Sequence, residues 1–481
     1  MSQETVHAII LAAGKATRFN TGKTKLIEPI CGQEMILYIT KTLQQLHINS
    51  TAIIGYQKES VRSVIKREHA TSISFIEQEE QKGTGHALMC SKTAWNADHI
   101  LIINGDVPLI TPAIIAQLLE KHSTSNAHIS FVVAHNSDPL SSYGRVIKTD
   151  SSIEIIEAQD FTGDPHEHCC INAGIYLIKR TFLEQSINDL KANKKTDEFY
   201  LTDLVKIASD KNLAVETVSA PFDAVRGINN LQELWAAEQI KRSEIIRFWM
   251  EAGVRFRAAQ NVHIDQAVTI GSGTYIGCGV HLFKNTHIGK NCTINEFSSL
   301  ENVTVKNNSI VHSHCVIKDS YIGQYAQVGP FAHVKQKSTI EDHAVIGTFV
   351  EVKETVVGKH SKAKHLSYLG NTYINEKVNI GAGTITCNHD GTMKQKTYIQ
   401  DGAYIGSNTI LVAPITIGAH AFTAAGSVIT KTVPANTLAF GRARQVNRVG
   451  YVSQMKENTK KDAFTFSGAT KSRKKNHSDS L

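Results

Sequence analysis

The chain has 481 residues, of which 41% are hydrophobic and 20% charged, and its formal net charge is +7. These fractions are ordinary for a globular protein, so the composition excludes an intrinsically disordered chain and leaves room for two or three domains. No apolar run approaches the ~20 residues that a membrane-spanning helix needs, and the polar start of the sequence differs from a secretory signal peptide. We therefore expect a cytoplasmic protein without a membrane partner.

The positive charge is concentrated near the C-terminus. From Lys456 to Leu481, seven Lys or Arg residues stand against three Asp or Glu residues. Such a run is typical of a solvated segment, so we predict a basic, disordered tail over residues 453–481 and no nucleic-acid partner. The eight cysteines lack the CxxC spacing of a zinc site, which predicts reduced, packed thiols.

The first half of the chain has the pattern of an α/β domain. Between Val6 and Gly227, short apolar runs alternate with longer stretches of helical spacing. This alternation predicts βαβ units on a mostly parallel sheet, which we assign as a Rossmann-like domain over residues 1–228. Apolar residues then recur at helical spacing, which predicts a linker helix over residues 229–254.

Beyond the predicted linker, aliphatic residues recur at every sixth position. A six-residue period fits neither a helix nor an alternating strand, but it fits a short strand followed by a corner. We therefore predict a parallel β-helix over residues 255–452, with three faces per coil. The alternative, an antiparallel sandwich, needs turn signals at intervals of about 8 to 12 residues. The first unbroken run is Ile264, Ile270, Ile276, Leu282, Ile288, Ile294 and Leu300.

The loop after the first predicted strand is suited to a polyphosphate. Gly14 permits a tight turn, and Lys15, Arg18 and Lys25 place three positive charges beside backbone N–H groups. Taken alone, a glycine followed by basic residues fits a plain surface loop equally well.

Two further motifs in this half indicate a nucleotide and a metal. Gln78 precedes the small-residue loop of Gly83 and Thr84, which can approach a flat nucleobase closely. Asp106 follows an apolar strand, where a carboxylate can hold Mg²⁺ at the crevice of an open α/β sheet. Together with the basic loop, these motifs favour a nucleotide-binding enzyme.

In order and spacing, the motifs LAAGKATR, QKGTGHA, NGDVPL, SYGRV, IIEAQD and INAGIY resemble the sugar-1-phosphate nucleotidylyltransferases. The similarity is greatest to a bifunctional family, N-acetylglucosamine-1-phosphate uridylyltransferase / glucosamine-1-phosphate N-acetyltransferase. The resemblance implies UTP as co-substrate, with Mg²⁺ held by Asp106 and Asn229. The residues it implies for binding UTP and UDP-N-acetylglucosamine are Leu11, Ala12, Gly14, Lys15, Arg18, Lys25, Gln78, Gly83, Thr84, Gly144, Glu157, Asn172 and Asn229.

The second half resembles the acetyltransferase of the same family. Between Val352 and Ile374 the repeat is interrupted by a segment rich in basic and titratable groups. This segment contains HLSYLG, and KVNIGAGTITCN and IGSNTILVAP follow in order. The resemblance implies a left-handed β-helix, a homotrimer, acetyl-CoA as co-substrate and His365 as the general base. It implies Lys335, Lys353, Tyr368 and Asn379 for glucosamine-1-phosphate, and Ala382, Asn388, His389, Ser407, Ala425 and Arg442 for acetyl-CoA.

Three positions depart from the family pattern. Ala16 stands where glycine is common, Lys335 where arginine is usual, and His389 where tyrosine is usual. Lysine keeps the charge of arginine but lacks the planar fork that binds phosphate with two hydrogen bonds. We therefore expect weaker binding of glucosamine-1-phosphate.

Two other functions fit the same architecture. One is a single-activity sugar-1-phosphate nucleotidylyltransferase whose β-helix is non-catalytic. The other is a non-enzymatic subunit similar to the exchange-factor subunits of translation initiation, which also pair these two domains. The presence of Lys25, Asp106, Asn229 and His365 argues against the non-enzymatic alternative.

Overall fold

The computed structural model describes residues 4–469 except 16–18, 20–21, 70–71, 139–141, 151, 165 and 167. Arg18 and Ala16 lie outside the described residues. An α/β domain comes first, a long helix follows, and a column of short parallel strands completes the fold.

The α/β domain contains the following elements. Its strands are β1 (Val6–Ala12), β2 (Pro29–Ile30), β3 (Gln33–Glu34), β4 (Asn49–Ile54), β5 (Ile73–Glu77), β6 (His99–Asn104), β7 (Ile129–His135), β8 (Arg145–Lys148), β9 (Ile153–Ile156), β10 (Cys170–Lys179) and β11 (Val215–Ser219). Its helices are α1 (Met35–Gln45), α2 (Lys58–His69), α3 (Gly83–Cys90), α4 (Pro112–Thr124), α5 (Arg180–Ser186) and α6 (Asp203–Asp210).

The main sheet has the order β11-β7-β10-β6-β1-β4-β5. Strand β1 pairs in parallel with both β4 and β6, whereas β10 runs antiparallel to β6 and β7. Because helices cover both faces, the strands are nearly continuous apolar runs, and Ile9 and Ile10 are both fully buried on opposite faces. The predicted Rossmann-like, mostly parallel sheet is confirmed.

The predicted linker helix is present as α7 (Leu231–Glu251). The Asn230 side chain accepts a hydrogen bond from the Glu233 N–H at 2.8 Å, and the Glu233 carboxylate accepts one from the Asn229 N–H at 2.5 Å. This variant of the capping box, in which Glu233 accepts from the residue before the N-cap, satisfies backbone donors that would otherwise stay unpaired. It also fixes Asn229 at the start of the helix.

The second half is a parallel β-helix, as the six-residue repeat predicts. Its strands pair only in parallel in the described residues, which excludes the antiparallel sandwich. The strands are β12 (Arg255–Phe256), β13 (His263–Ile264), β14 (Thr269–Ile270), β15 (Tyr275–Ile276), β16 (His281–Phe283), β17 (His287–Ile288), β18 (Thr293–Ile294), β19 (Ser299–Glu301), β20 (Thr304–Val305), β21 (Ile310–Val311), β22 (Val316–Lys318), β23 (Tyr321–Ile322), β24 (Gln327–Val328), β25 (His333–Lys335), β26 (Thr339–Ile340), β27 (Val345–Lys353), β28 (Val356–Val357), β29 (Lys362–Gly370), β30 (Thr372–Ile374), β31 (Asn379–Ile380), β32 (Ile385–Cys387), β33 (Thr397–Ile399), β34 (Tyr404–Ile405), β35 (Ile410–Val412), β36 (Ile415–Ile417), β37 (Phe422–Thr423), β38 (Val428–Ile429) and β39 (Leu438–Ala439).

The repeated aliphatic residues form the interior ladders of this prism. Ile270 pairs with Ile288, which pairs with Val305 and then with Ile322 in the following coils. All four are at most 5% exposed, so one aliphatic side chain per face fills the interior. The apolar core continues without a break from the α/β domain along α7 into the prism.

One prediction about the C-terminal segment is wrong. Where we expected a disordered tail over residues 453–481, helix α8 spans Tyr451–Ala469. These residues include no proline, so none of them removes a helical hydrogen bond through a missing N–H group. The rest of the tail, residues 470–481, lies outside the described residues.

Two further features of the structure concern the cysteines and the helices. All eight cysteines are free thiols, and Cys31, Cys292 and Cys315 are buried. Across the described ranges, no helix combines the length and apolarity required to cross a lipid bilayer.

Candidate active sites

The first candidate site is a crevice at the carboxyl ends of β1, β5 and β6. Two adjoining cavities of about 590 and 190 Å³ share Thr84, Asp106 and Asn229 among their lining residues. Apart from Arg18, every residue predicted for the nucleotide and its sugar lines one of these cavities. They are Leu11, Ala12, Gly14, Lys15, Lys25, Gln78, Gly83, Thr84, Gly144, Glu157, Asn172 and Asn229.

At the centre of the crevice, one lysine ammonium group donates hydrogen bonds to two side-chain oxygens. The Lys25 Nζ lies 2.5 Å from the Asp106 Oδ2 and 2.9 Å from the Asn229 Oδ1. The side chains of Lys25 and Asp106 are only 13% and 19% exposed, so their attraction is weakly screened by solvent. Three residues from distant parts of the sequence therefore form a compact charged centre.

The backbone fixes this centre from two sides. Asp106 follows β6 by two residues, at the open edge of the sheet. The Ile228 N–H donates to the Asp106 carbonyl at 2.9 Å, which ties the segment before α7 to the loop after β6. The capping box then holds the backbone of Asn229 just before α7, so the helix that connects the domains also fixes a site residue at its N-terminus.

The chemistry of Asp106 and Asn229 fits Mg²⁺. A carboxylate oxygen and an amide oxygen converge on the same cationic group, and hard oxygen ligands are what this ion prefers. Among the described residues, no cluster of three or more His, Cys, Asp or Glu could hold a metal. Two protein oxygens are nevertheless enough for Mg²⁺, which usually keeps waters and shares phosphate oxygens.

The predicted base-recognition residues lie together on one wall. Gln78 is 3% exposed, and its amide nitrogen contacts the Gly83 carbonyl at 3.2 Å and the His86 Nδ1 at 3.0 Å. Gly83 has φ +91°, and a Cβ there would lie 2.5 Å from the Phe199 carbonyl oxygen. Only glycine fits both the conformation and the space, which gives this loop its close approach to the crevice.

Three of the residues implied for UDP-N-acetylglucosamine, Gly144, Glu157 and Asn172, also lie together, around the smaller cavity. The Asn172 N–H donates to the Gly144 carbonyl at 3.0 Å, and the Asn172 amide nitrogen donates to the Tyr176 hydroxyl at 2.6 Å. Glu157 accepts from the Thr202 hydroxyl at 2.8 Å, and burial raises the pKa of the Glu157 carboxyl. Thr202 also lines the smaller cavity, and sequence reasoning did not identify it because it stands in none of the recognised motifs.

The second candidate site lies at one corner of the β-helix. His365 is exposed in the middle of β29, which together with β27 continues around this corner without a break. Thr348 of β27 is in register with His365. An imidazole in this place is accessible to a substrate from solvent.

The predicted acetyl-CoA residues continue the same corner in later coils. The Gly383 N–H donates to the Leu366 carbonyl, which places Ala382 one coil after His365. In the same way, the Asn408 backbone N–H donates to the Ala382 carbonyl, and the Gly426 backbone N–H donates to the Ser407 carbonyl. The side chain of Arg442 reaches within 3.9 Å of the Cβ position of Gly426. The resulting corner column is His365, Ala382, Ser407, Ala425 and Arg442.

The predicted amino-sugar residues lie on the two faces that flank this corner. Lys335 and Lys353 are in register on one face, and the Lys335 ammonium lies 2.8 Å from the Glu351 carboxylate. Tyr368 lies on that same face, since it pairs with Glu351. Asn379 pairs with Lys362 on the other face, around the corner from the two lysines.

Gly370 brings Tyr368 and Asn388 together. A Cβ on Gly370 would lie 2.6 Å from the Tyr368 hydroxyl and 2.8 Å from the Asn388 amide nitrogen. The missing side chain therefore creates the space that these two predicted site residues share. His389, the next residue, is exposed and forms an isolated β-bridge with Lys394.

Sequence reasoning missed two polar residues beside Asn388. Glu354 and Asn371 precede it at intervals of 17 residues, which corresponds to one coil each. They occupy the same corner of successive coils, and both have a positive φ of about 50°. The interval was the available signal, since a polar residue repeated at coil spacing stacks on its neighbours.

The fold and the crevice together define a nucleotidyltransferase that carries a β-helix domain. The family model described as "Nucleotidyl transferase" matches residues 7–253, and the model described as "GMPPB C-terminal domain" matches residues 258–367.

Curated relatives match along nearly the whole chain. "Bifunctional protein GlmU" of Oleidesulfovibrio alaskensis is 37% identical to this chain. The match covers 93% of this chain and 98% of the relative. The protein of the same name from Pelobacter propionicus is 37% identical, with 95% of this chain and 100% of the relative covered. That from Geobacillus thermodenitrificans is 38% identical, with 94% and 98% covered. The chain belongs to the family of bifunctional GlmU proteins.

Proposed function

We propose that this chain synthesises UDP-N-acetylglucosamine at two separate sites. The β-helix transfers an acetyl group from acetyl-CoA to glucosamine-1-phosphate. The crevice then transfers a uridylyl group from UTP to N-acetylglucosamine-1-phosphate and releases pyrophosphate. Membership of the bifunctional family supports this function along the whole chain. The observation that carries it is one polypeptide with the Lys25–Asp106–Asn229 centre in one half and an exposed His365 in the other.

The uridylyl step requires neutralisation of charge rather than a base. A sugar phosphate is already an anionic nucleophile, so the site must align it in line with the α-phosphorus of UTP and stabilise the departing pyrophosphate. Lys25 supplies a positive charge that is shielded from solvent, where electrostatic stabilisation is strongest. Mg²⁺, when bound by Asp106 and Asn229, supplies further positive charge next to the phosphates.

The acetyl step requires a proton acceptor. The ammonium group of glucosamine-1-phosphate must lose a proton before its nitrogen attacks the thioester carbon, and an imidazole is suited to take that proton near neutral pH. His365 is exposed at the corner where the predicted acetyl-CoA residues line up. Lys335 and Lys353 place two positive charges on the adjoining face for the sugar phosphate.

A homotrimer is part of this proposal. Four large apolar side chains stack along the corner that contains His365, and they are 48 to 65% exposed. Exposed apolar patches of this kind are typical of protein–protein interfaces. Packing of a second copy on this corner would enclose the acetyl-transfer site between subunits. The four residues are Phe297, Phe331, Phe349 and Leu366.

The domain limits belong to the same proposal. We assign residues 1–228 to uridylyl transfer, 229–254 to the linker and 255–452 to acetyl transfer, with the tail from 453 having no assigned role. The left-handed coil and the cytoplasmic location stay predictions from the resemblance and the sequence.

The test is a reconstitution with purified protein. Glucosamine-1-phosphate, acetyl-CoA, UTP and Mg²⁺ are supplied together, and free CoA thiol and UDP-N-acetylglucosamine are measured separately. We expect both products. Uridylyl transfer to supplied N-acetylglucosamine-1-phosphate without any release of CoA would instead support the single-activity nucleotidylyltransferase with a non-catalytic β-helix.

A further inference from the structure

A surface loop interrupts the β-helix beside the acetyl-transfer site. Tyr373 pairs with Tyr398, 25 residues later, whereas Val356 pairs with Tyr373 after only 17. The extra residues form the loop 388–395, which we call the acetyl-site loop. The Gln395 N–H donates to the Asn388 carbonyl at 2.7 Å and closes it. The loop therefore begins with Asn388 and His389, two residues predicted to contact acetyl-CoA.

A chain of hydrogen bonds connects this loop to the coils before it. The Asn388 amide nitrogen donates to the Asn371 Oδ1 at 2.5 Å, and the Asn371 amide nitrogen donates to the Glu354 Oε2 at 2.5 Å. The other carboxylate oxygen of Glu354 lies 3.0 Å from the Lys394 ammonium, near the far end of the loop. One carboxylate thus holds both ends of the acetyl-site loop.

The Glu354 carboxylate also determines which group donates in each hydrogen bond of this series. Contact with Lys394 keeps the pKa of Glu354 below its ordinary value, so the group is ionised and can only accept hydrogen bonds. Asn371 must then donate its N–H group to Glu354 and present its oxygen to Asn388. Asn388 must in turn use an N–H group toward Asn371, and this sets the orientation of its amide.

The oriented amide lies in contact range of the amino-sugar residues. Asn388 is only 9% exposed, and its amide nitrogen and the Tyr368 hydroxyl both border the space left by Gly370. A rotated Asn388 amide would exchange a donor for an acceptor at this point. The donor that Asn388 presents at this point therefore depends on its hydrogen bond to Asn371 and, through Asn371, on Glu354.

We propose that Glu354 and Asn371 are positioning residues of the acetyl-transfer site, which orient Asn388 and hold the acetyl-site loop against the prism. The inference rests on the proposed acetyltransferase function. It assigns no contact with substrate to Glu354 or Asn371, since both act through Asn388.

The corner of the β-helix that holds Glu354 and Asn371 also offers a matched control. In an earlier part of the β-helix, the Asn302 amide nitrogen donates to the Asp319 Oδ1 at 2.8 Å. Asn302 and Asp319 also have positive φ values, 54° and 46°, like Asn371 and Glu354. The pair repeats the Asn–carboxylate contact without a loop or a site residue attached to it. The variant Asn302→Ala therefore measures the effect of losing such a hydrogen bond where no site residue depends on it.

The first experiment compares acetyl-transfer kinetics of purified full-length variants. We expect Asn371→Ala and Glu354→Leu each to lower kcat about 10-fold, with little change in the KM for glucosamine-1-phosphate, because a slightly misplaced group penalises the transition state most. Glu354→Gln keeps an oxygen that can accept from Asn371 but loses the ion pair with Lys394, so its loss of activity should be smaller than that of Glu354→Leu. Asn302→Ala should match the wild type, and uridylyl transfer should be unchanged in all four.

A double-mutant cycle distinguishes positioning from general weakening. If Asn371 acts through Asn388, adding Asn371→Ala to Asn388→Ala should lower acetyl transfer no further. Independent, multiplicative losses would overturn the proposal, as would an Asn371→Ala enzyme with wild-type kcat. If wild-type protein itself released no CoA, the proposed acetyltransferase function would fail instead.

Hydrogen exchange of the acetyl-site loop gives a readout that needs no substrate. We expect Asn371→Ala and Glu354→Leu to speed the exchange of amides in residues 388–395, including the Gln395 N–H, while Asn302→Ala leaves it unchanged. Wild-type protection of the loop in both variants would overturn the proposal, even if Asn388→Ala leaves too little activity for the cycle.

Discussion

The two candidate sites are built in opposite ways. The crevice gathers Lys25, Asp106 and Asn229 from loops that the parallel sheet and the capping box bring to one edge. The corner of the β-helix instead places His365 and its neighbours at coil intervals along one line. A crevice surrounds a charged centre and limits its exposure, whereas a corner leaves its residues open until another surface covers them.

This difference matches the chemistry assigned to each site. An anionic phosphate nucleophile needs positive charge in a place with little water, and the crevice provides it. An amine nucleophile needs an accessible base, and the exposed His365 is the base that we propose. The contrast teaches that burial and exposure are each functional here, and that the two activities can be damaged independently.

The largest effect that can test this separation is the loss of the crevice carboxylate. We expect Asp106→Ala to lower uridylyl transfer by roughly 10³-fold, because the proposed ligand for Mg²⁺ and the partner of Lys25 are lost together. Acetyl transfer should be unchanged. Asp223→Ala is the control, since Asp223 is an exposed acid of the same domain that pairs only with Arg226 in the salt bridges of the described residues. Equal losses in both variants would contradict the assignment.

A smaller loss of acetyl transfer is expected when the space that Tyr368 and Asn388 share beside Gly370 is filled. In Gly370→Ala, the added methyl group would displace the Tyr368 hydroxyl and the Asn388 amide, which lie 2.6 and 2.8 Å from its position. We expect acetyl transfer to fall about 10-fold or more, and uridylyl transfer to stay at the wild-type rate. Coupled assays of CoA release and pyrophosphate release on one preparation measure both. An unchanged CoA release would show that Tyr368 and Asn388 need not meet.

The buried carboxyl of the crevice allows a test by pH. Burial raises the pKa of Glu157, so the folded state holds this proton more tightly than the unfolded chain. The charged carboxylate therefore destabilises the fold above the raised pKa, and this penalty disappears as the pH falls to the ordinary glutamate range.

Glu157→Gln should accordingly be more stable than wild type at about pH 7.5, with the advantage shrinking toward about pH 4.5. Urea unfolding at the two pH values measures this difference. The same variant should raise the KM for N-acetylglucosamine-1-phosphate about 10-fold, because a charged hydrogen-bond acceptor is lost. A stability advantage that grows at low pH would contradict the direction of the shift.

The smallest expected effect concerns the departure at Lys335. Lys335→Arg should lower the KM for glucosamine-1-phosphate about 3- to 10-fold, because the guanidinium can bind a phosphate with two hydrogen bonds. Its present partner, Glu351, lies 2.8 Å away and can pair with either side chain. Lys318→Arg, one coil earlier on the same face, serves as the control. Unchanged affinity in Lys335→Arg would show that Lys335 does not limit substrate binding.

The fold was predictable from the sequence because both periodicities are regular. The six-residue repeat requires a ladder such as Ile270, Ile288 and Val305, and the alternation of strands and helices requires a sheet with covered faces. The helix over Tyr451–Ala469 was not predicted, since its charge pattern resembles that of a solvated tail. The charge pattern indicates exposure to solvent, but it does not specify the backbone conformation, and the segment has no proline to prevent a helix.

The sites were predictable only where a motif marks them. The family resemblance covers Lys25, Asp106 and His365, so the sequence alone could single them out as candidates. Glu354 and Asn371 act through a third side chain, and only their coil spacing connects them with Asn388. Such contacts depend on side-chain geometry, which the sequence does not contain.

The most direct test of the two-site account is a complementation experiment with His365→Ala and Asp106→Ala. Each variant alone, supplied with glucosamine-1-phosphate, acetyl-CoA, UTP and Mg²⁺, should make almost no UDP-N-acetylglucosamine, whereas a mixture of the two should make it at a rate close to that of the wild type. His365→Ala should still use supplied N-acetylglucosamine-1-phosphate. Full synthesis by His365→Ala alone, or no synthesis by the mixture, would contradict the account.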